Sequence, residues 1–278
     1  MRRNVLFHLF LAGSLMVLSS ACEHEIAFDY PESDAQVVFN GRISNEGVSV
    51  QISRTRPMSD STRTHFISDA QVWIAADDGS EEQLSFDRQR QCYSSPTGLV
   101  GQPGRAYTMR AVVDGQRYEA TSTMLPATTV DSIYFRWIEV LKKRIYFVCI
   151  KGSNALPGQR NYCLLRLFRG DELFRWTPHS GRSSTDDRYE YDLVCSSEDD
   201  INKGIDDDGK IPLRDGDSLR AEVISIDRTA WEFYHSLSYG QASTSNALSN
   251  IQGGAQGVFM ACSITRPDTI VFRRDSIQ

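Results

Sequence analysis

The sequence predicts an all-β protein made of two tandem sandwich-like domains. Three observations carry that expectation. From Gln36 onward, short runs alternate between apolar and polar residues, the period of a half-buried strand. Asp, Asn, Gly and Pro sit between those runs as turn residues. One stretch, near Arg228 to Ser238, has helical period instead. Of the 278 residues, 40% are hydrophobic and 24% charged, so a sizeable core is possible and wholesale disorder is excluded. With 19 Gly and 9 Pro the chain is neither collagen-like nor low-complexity. No internal repeat is found.

Residues 1–21 read as a secretory signal peptide. Arg2 and Arg3 give a charged start, and Val5 to Leu18 a short apolar run broken by His8, Gly13 and Ser14. Ser19, Ser20 and Ala21 supply the small residues of a cleavage point. The run is shorter than the roughly 20 apolar residues of a membrane span, and no later segment approaches that length. Leu18-Ser19-Ser20-Ala21-Cys22 resembles a bacterial lipobox, with Ser19 where that pattern usually has Leu. The resemblance implies that Cys22 is acylated and becomes the new N-terminus. An ordinary signal peptide cut after Ala21 is the alternative. Glu23-His24-Glu25 resembles the surface-export signal of Bacteroidetes lipoproteins, and residues 22–35 read as a tether. The whole chain carries 30 basic and 36 acidic residues, a net charge of −6. Removing Arg2 and Arg3 leaves 28 basic residues and a net charge of −8. That balance argues against non-specific nucleic-acid binding, and it makes lipid rather than charge the membrane anchor.

Residues 36–127 are expected to form the first β-domain. Val37–Gly41 and Val48–Ile52 open the series, and Asp69–Ile74 follows, ended by the turn Asp77-Asp78-Gly79. The best-defined element is a hairpin over Tyr107–Thr123. Asp114-Gly115 is the two-residue signal for a type I′ turn. That turn pairs Val113 with Gln116, Ala111 with Tyr118, Met109 with Ala120 and Tyr107 with Ser122, all on one largely apolar face. It also sets Arg110 opposite Glu119 on the other face, a favourable cross-strand pair. Leu125–Thr129 reads as the domain boundary.

Residues 128–278 are expected to form the second β-rich domain. Its strands are Ser132–Ile138, Arg144–Lys151, Tyr162–Arg169, Tyr189–Cys195, Ser218–Ile226 and Val258–Ile264. The helix near Arg228–Ser238 has Asp227 as N-cap and a buried stripe of Ala230, Trp231, Tyr234 and Leu237. A symmetric hairpin between Arg144–Lys151 and Tyr162–Arg169 pairs Ile145 with Leu167, Phe147 with Leu165, and Cys149 with Cys163. Cys149 and Cys163 then have Cα atoms roughly 4.5–5.5 Å apart, either disulfide-bonded or packed as reduced thiols. Five cysteines remain beyond Cys22, an odd count that leaves at least one unpaired within a single chain.

Two resemblances follow from particular residues. Ser68–Ile74, Cys92-Tyr93 and Gly104–Met109 resemble the transthyretin-like or carboxypeptidase-regulatory-like sandwich. Leu213–Leu219, Ser225–Asp227, Trp231–Tyr234 and above all Asn250-Ile251-Gln252-Gly253-Gly254, with Gly257 and Phe259, resemble the domain of unknown function 4249 family, which are Bacteroidetes outer-membrane lipoproteins. Ser245 stands where that family usually has Pro. The resemblance implies an outer-membrane, lipid-anchored protein at the cell surface, associated with a TonB-dependent receptor or its ligand.

Catalytic motifs are sparse. Beyond His8 and His24, the histidines are His65, His179 and His235, each in a different neighbourhood. No HExxH, CxxC or GxSxG occurs. Gly204-Ile-Asp-Asp-Asp-Gly209-Lys210 fits a phosphate-loop spacing, but Ile211 replaces the Mg²⁺-binding hydroxyl and three Asp residues would repel phosphate, so a β-turn is expected. Glu198, Asp199, Asp200, Asp206, Asp207, Asp208, Asp215 and Asp217 read as a solvated acidic loop, with an irregular Ca²⁺ site as the alternative; the register of an EF-hand fails. Gly253-Gly254 and Gly257 are expected to turn the chain into the last strand. Trp137, Trp176 and Trp231 are expected in the core, or lining a glycan or peptide groove, and a concave patch around Trp176 and His179 would mark a site. The function expected is non-catalytic, with no cofactor and no metal. An envelope hydrolase and an adhesive β-module are the alternatives.

Overall fold

The computed structural model describes residues 34–56, 64–182, 187–207, 209–240 and 246–277. The signal peptide, Cys22 and the tether up to residue 33 lie outside the described residues, as do Asp208 and Ser245. The first strands are β1 (Val37–Ser44), β2 (Gly47–Arg54), β3 (Gln71–Ala76), β4 (Glu81–Gln83), β5 (Ser85–Asp87), β6 (Cys92–Ser94), β7 (Ala106–Val113) and β8 (Gln116–Thr123). There follow β9 (Thr129–Val140), β10 (Lys143–Ser153), β11 (Arg160–Arg169), β12 (Glu172–Arg182) and β13 (Arg188–Ser197). The short helix α1 (Glu198–Lys203), β14 (Ser218–Ser225), α2 (Arg228–Gly240), β15 (Gln256–Thr265) and β16 (Ile270–Val271) complete the fold. The all-β class is as the alternation requires. Among the described residues no helix is long and apolar enough to cross a membrane.

One nine-stranded sheet, in the order β12-β11-β14-β15-β1-β2-β6-β5 with β16 beside β14, is the largest of three sheets. Two smaller sheets pack on its front face. The sheet β4-β3-β7-β8 closes the first core, where Phe39, Ile43 and Val50 meet Val72, Met109 and Ala111. The sheet β13-β10-β9 closes the second, where Tyr146, Val148 and Leu193 meet Leu165, Leu167 and Val223. On the back face, Leu164, Ile224, Val258 and Met260 form a third cluster under α2. The expected boundary at 127/128 divides the first core from the second but does not divide the large sheet. Phe259 and Ala261, far beyond that boundary, are part of the first core.

The hairpin β7–β8 has the register that Asp114-Gly115 dictates: Val113 faces Gln116, Met109 faces Ala120 and Tyr107 faces Ser122. Asp114 and Gly115 take φ of 51° and 82°, the two positive values of a type I′ turn. Arg110 Nε reaches Glu119 Oε2 at 3.2 Å.

The expected hairpin between β10 and β11 does not form, and this corrects the pairing of Cys149 with Cys163. β10 is flanked by β9 and β13, and β11 by β12 and β14. Tyr146, Val148 and Ile150 are the side chains of β10 in the second core, so Cys149 points to the other face, while Cys163 lies in that core. Cys92, Cys149, Cys163, Cys195 and Cys262 are all buried free thiols. The reason is competition between loops. Val140 pairs with Lys143 across the two residues Leu141-Lys142, and Arg169 with Glu172 across Gly170-Asp171. These short closures win over a longer connection between β10 and β11. Leu141 and Lys142 take positive φ without the Asn-Gly or Asp-Gly signal, which hides the turn from a sequence reading. β12, which contains Pro178 and Gly181, is an edge strand, the place where Pro is tolerated.

β15 is the centre of the large sheet. It runs parallel to β1, with Gly41 opposite Phe259, and pairs with β14 through Ser263 to Thr265. Two side-chain amides stand in for missing strands. Phe259 N–H donates to Asn250 Oδ1 at 2.9 Å, and Asn250 Nδ2 donates to the Phe259 carbonyl at 2.8 Å. Asn45 repeats this at Ile264, accepting at 2.8 Å and donating at 3.1 Å. Gly257 has φ 107°, and a Cβ there would stand 1.9 Å from the Phe39 carbonyl oxygen, so only glycine lets the two strands meet. Gly253 is held against the Arg117 carbonyl in the same way.

Asp227 ties α2 to the first sandwich. Its Oδ1 accepts from Ala230 N–H at 2.9 Å as the N-cap, and its Oδ2 accepts from Ser122 Oγ at 2.7 Å and Thr123 N–H at 3.0 Å. Ser122 Oγ in turn accepts from Ala261 N–H at 2.8 Å. Ala230, Trp231, Phe233 and Tyr234 pack on the third cluster. Leu237, expected in that stripe, is 36% exposed, and Phe233 packs against the cluster instead.

Asn250→Ala leaves the Phe259 amide without either side-chain bond, and we expect a loss of about 2–3 kcal/mol in urea denaturation. Gly257→Ala forces Phe39 away from β15, and a loss of about 4 kcal/mol or more is expected. Unchanged unfolding midpoints for both variants would contradict the role given to β15.

Candidate functional site

The site is built by the period of two along each strand. On β1, Phe39 and Ile43 enter the first core, so Asn40, Arg42 and Ser44 face the back. β2 adds Ser49 and Gln51, β6 adds Ser94, β15 adds Met260, and β11 adds Leu164 and Arg166. Trp176 of β12 and Tyr234 and Leu237 of α2 form one wall. Together these residues line an open recess of about 960 Å³ on the back face of the large sheet. The Trp176 and Tyr234 rings meet edge to face at 5.9 Å. Burial pushes the Tyr234 phenol up to about 12, so it remains a neutral hydroxyl at physiological pH.

Beside this recess lies a cluster of arginines around one carboxylate. Glu222 is 4% exposed. Arg266 reaches its Oε1 at 2.8 Å and Arg220 at 3.0 Å, while Arg166 stands 3.7 Å from Oε2. Arg266 also pairs with Glu46. Burial and the neighbouring charge of Arg42 hold the Arg266 guanidinium below its ordinary range. A sequence reading does not single out these residues, although a signal exists. Arg166 and Glu222 interrupt strands that are apolar on both faces, in Leu164-Leu165-Arg166-Leu167 and Ala221-Glu222-Val223.

The other candidate residues are dispersed. Trp176 and His179 do not share a patch: they lie on opposite faces of β12, the ring of Trp176 against Tyr234 and that of His179 stacked on Tyr191 at 4.6 Å. The odd spacing of three along a strand causes the separation. Trp137 packs at the edge of the second core, with Nε1 donating to the Ile277 carbonyl at 3.3 Å and the Arg144 guanidinium 4.6 Å over its ring. Trp231 packs in the third cluster, 5.4 Å from Tyr162 and 4.3 Å from His235. His65 is exposed in a loop. Cys163 is opposite His179 in the β11–β12 ladder. Burial pushes that thiol up to about 12 and the imidazole down, so neither group is suited to act as thiolate or proton carrier.

Several of the acidic residues take separate structural tasks. Asp200 closes a capping box with Ser197 on α1, and Asp199 pairs with Lys143. Asp206 pairs with Arg175 at 2.6 Å, Asp217 with Arg169 at 3.2 Å, and Asp215 accepts from Arg274 N–H at 2.6 Å. Gly204 is the left-handed C-cap of α1, which gives that glycine a structural role in place of a phosphate loop. Among the described residues no three His, Cys, Asp or Glu side chains gather as a metal site.

Two outcomes follow. Burial pushes the thiols of Cys149, Cys163, Cys195 and Cys262 up to about 12. Iodoacetamide at neutral pH is therefore expected to leave these four cysteines unlabelled in the native protein and to label them in denaturant; rapid native labelling would contradict the packing. Burial also holds His179 below its ordinary value of 6.5. The unfolded chain then binds the proton more readily than the folded one, so stability is lost as pH falls below about 6.5. Thermal melts between about pH 7 and pH 5 are expected to show a smaller loss for His179→Phe than for the wild type, and equal losses would exclude His179 as the cause.

No curated protein matches the chain. Among solved structures, the selenomethionine-substituted chicken interferon gamma receptor alpha chain is similar at 7% identity, over 69% of this chain and 88% of that one, with a TM-score of 0.19. That score is too low to support an argument. A family described as a domain of unknown function, DUF4249, matches residues 23–267. The match includes the Asn250–Phe259 run, in which Asn250 bonds to Phe259 of β15, Gly257 lets β15 meet β1, and Gly253 packs against β8. The chain belongs to the DUF4249 family.

Proposed function

We propose that the protein is a non-catalytic, ligand-binding lipoprotein of the cell envelope, attached through Cys22 and displayed at the outer-membrane surface beside a TonB-dependent receptor. The observation that supports the binding role is the recess of about 960 Å³ on the back of the large sheet. It lies within the usual size range of small-ligand sites, and it combines an aromatic wall with several convergent polar side chains. Its floor is strand rather than loop, which holds those side chains at fixed spacing. The anchor rests on the lipobox-like Ser19-Ser20-Ala21-Cys22, and the receptor on the family to which the chain belongs.

Two measurements test the reading. Cys22→Ala is expected to move the protein from the membrane to the soluble or unprocessed fraction, and the wild type is expected to carry an acyl label. A wild type without label and a variant still in the membrane would overturn the anchor. Affinity purification of the full chain from detergent-solubilised membranes is expected to recover a TonB-dependent receptor; recovery of none would remove that partner.

A further inference from the structure

We infer that the ligand of the back-face recess is an acidic saccharide, recognised through its anionic group by Arg42 and Arg166 and through a sugar ring by Trp176. The inference rests on the binding role proposed for this recess. It starts from charge. Arg42, Arg90 and Arg166 line the recess, against Glu46 as the one acidic side chain of the lining, and Glu46 is already paired with Arg266. This excess of positive charge sits on a chain whose net charge is −6. Arg166 shares Glu222 with Arg220 and Arg266, three guanidiniums on one carboxylate. Arg42 is half-buried and has no carboxylate in ion-pair range among the described residues. A partly desolvated guanidinium without a counter-charge is unfavourable until an anion supplies one, and its planar fork suits two oxygens of a carboxylate or sulfate.

The form of the recess favours a sugar over a peptide. Its floor is the face of a sheet, whose backbone N–H and C=O groups are already used in the ladders between β2, β1 and β15. A peptide laid across this floor therefore finds no free ladder groups to pair with. What the floor does present is a set of short hydroxyl and amide side chains, among them Asn40, Ser44, Ser49 and Gln51, matched in reach to ring hydroxyls. Trp176 supplies an apolar ring surface beside Arg166, its partner in the β11–β12 register.

The test uses the full chain purified in detergent, with three probes: a short oligogalacturonate, a neutral galactan of equal length and an oligoglutamate peptide. A sulfated galactan is added to separate carboxylate from sulfate. The expected result is binding of the uronate or the sulfated sugar, weakened by raised salt, and lost by about tenfold or more in Arg42→Ala and in Trp176→Ala. Arg42→Ala is also expected to raise the melting temperature of the free protein, because it removes a cation that no carboxylate balances. A stabilised variant with weakened binding separates this role from a packing role. Equal binding of the neutral galactan, or preferred binding of the peptide, would overturn the acidic-saccharide assignment and leave the recess as a binding site. No binding of any probe would overturn the assignment together with the binding reading on which it rests.

Discussion

The parallel contact between β1 and β15 is the constraint from which the rest of the molecule follows. It joins residues more than 200 positions apart, and it depends on the absence of a side chain at Gly257. β15 has a different partner on almost every stretch of its two edges. β1 takes one edge as far as Cys262, Asn45 extends it to Ile264, and Asn250, Ser122 and β14 divide the other. Its side chains alternate between the first core, through Phe259 and Ala261, and the cluster under α2, through Val258, Met260 and Cys262. One strand therefore sets the distance between the two front sandwiches and the height of the helix on the back. The Asn250–Phe259 run lies where this strand is laid down, so a run rich in Asn and Gly contributes geometry there.

What was legible in the sequence depended on whether the signal was local. The β7–β8 hairpin could be read to the residue, since turn type, alternation and the Arg110–Glu119 pair all lie within a short segment. The N-cap of α2 was legible for the same reason. The β9–β10 turn was not, because Leu141 and Lys142 adopt positive φ without the residues that usually announce it. Missing that turn led to a false β10–β11 partnership and to a cysteine pair that does not exist. The strands of this region are apolar on both faces, as Val148-Cys149-Ile150 illustrates, so alternation could not choose between the two registers.

The candidate site was less legible still. Its residues come from six strands and one helix, and no two elements of the sequence announce their meeting. Trp176 and His179 are near neighbours in sequence, but along a strand an odd spacing puts two side chains on opposite faces. Arg42 is unremarkable as a polar residue on β1. It acquires meaning only beside Arg166 in the recess, where Arg166 shares one buried carboxylate with Arg220 and Arg266.

The position of β15 also has a consequence for how the protein is made. The first core cannot be completed by the first half of the chain, because Phe259 and Ala261 belong to it. At roughly 5–20 residues per second, the interval between the synthesis of β8 and that of β15 is on the order of 10 s. During that interval β1 has an open edge and the sheets around it lack part of their interior. The first core therefore reaches its full packing only once β15 has been made.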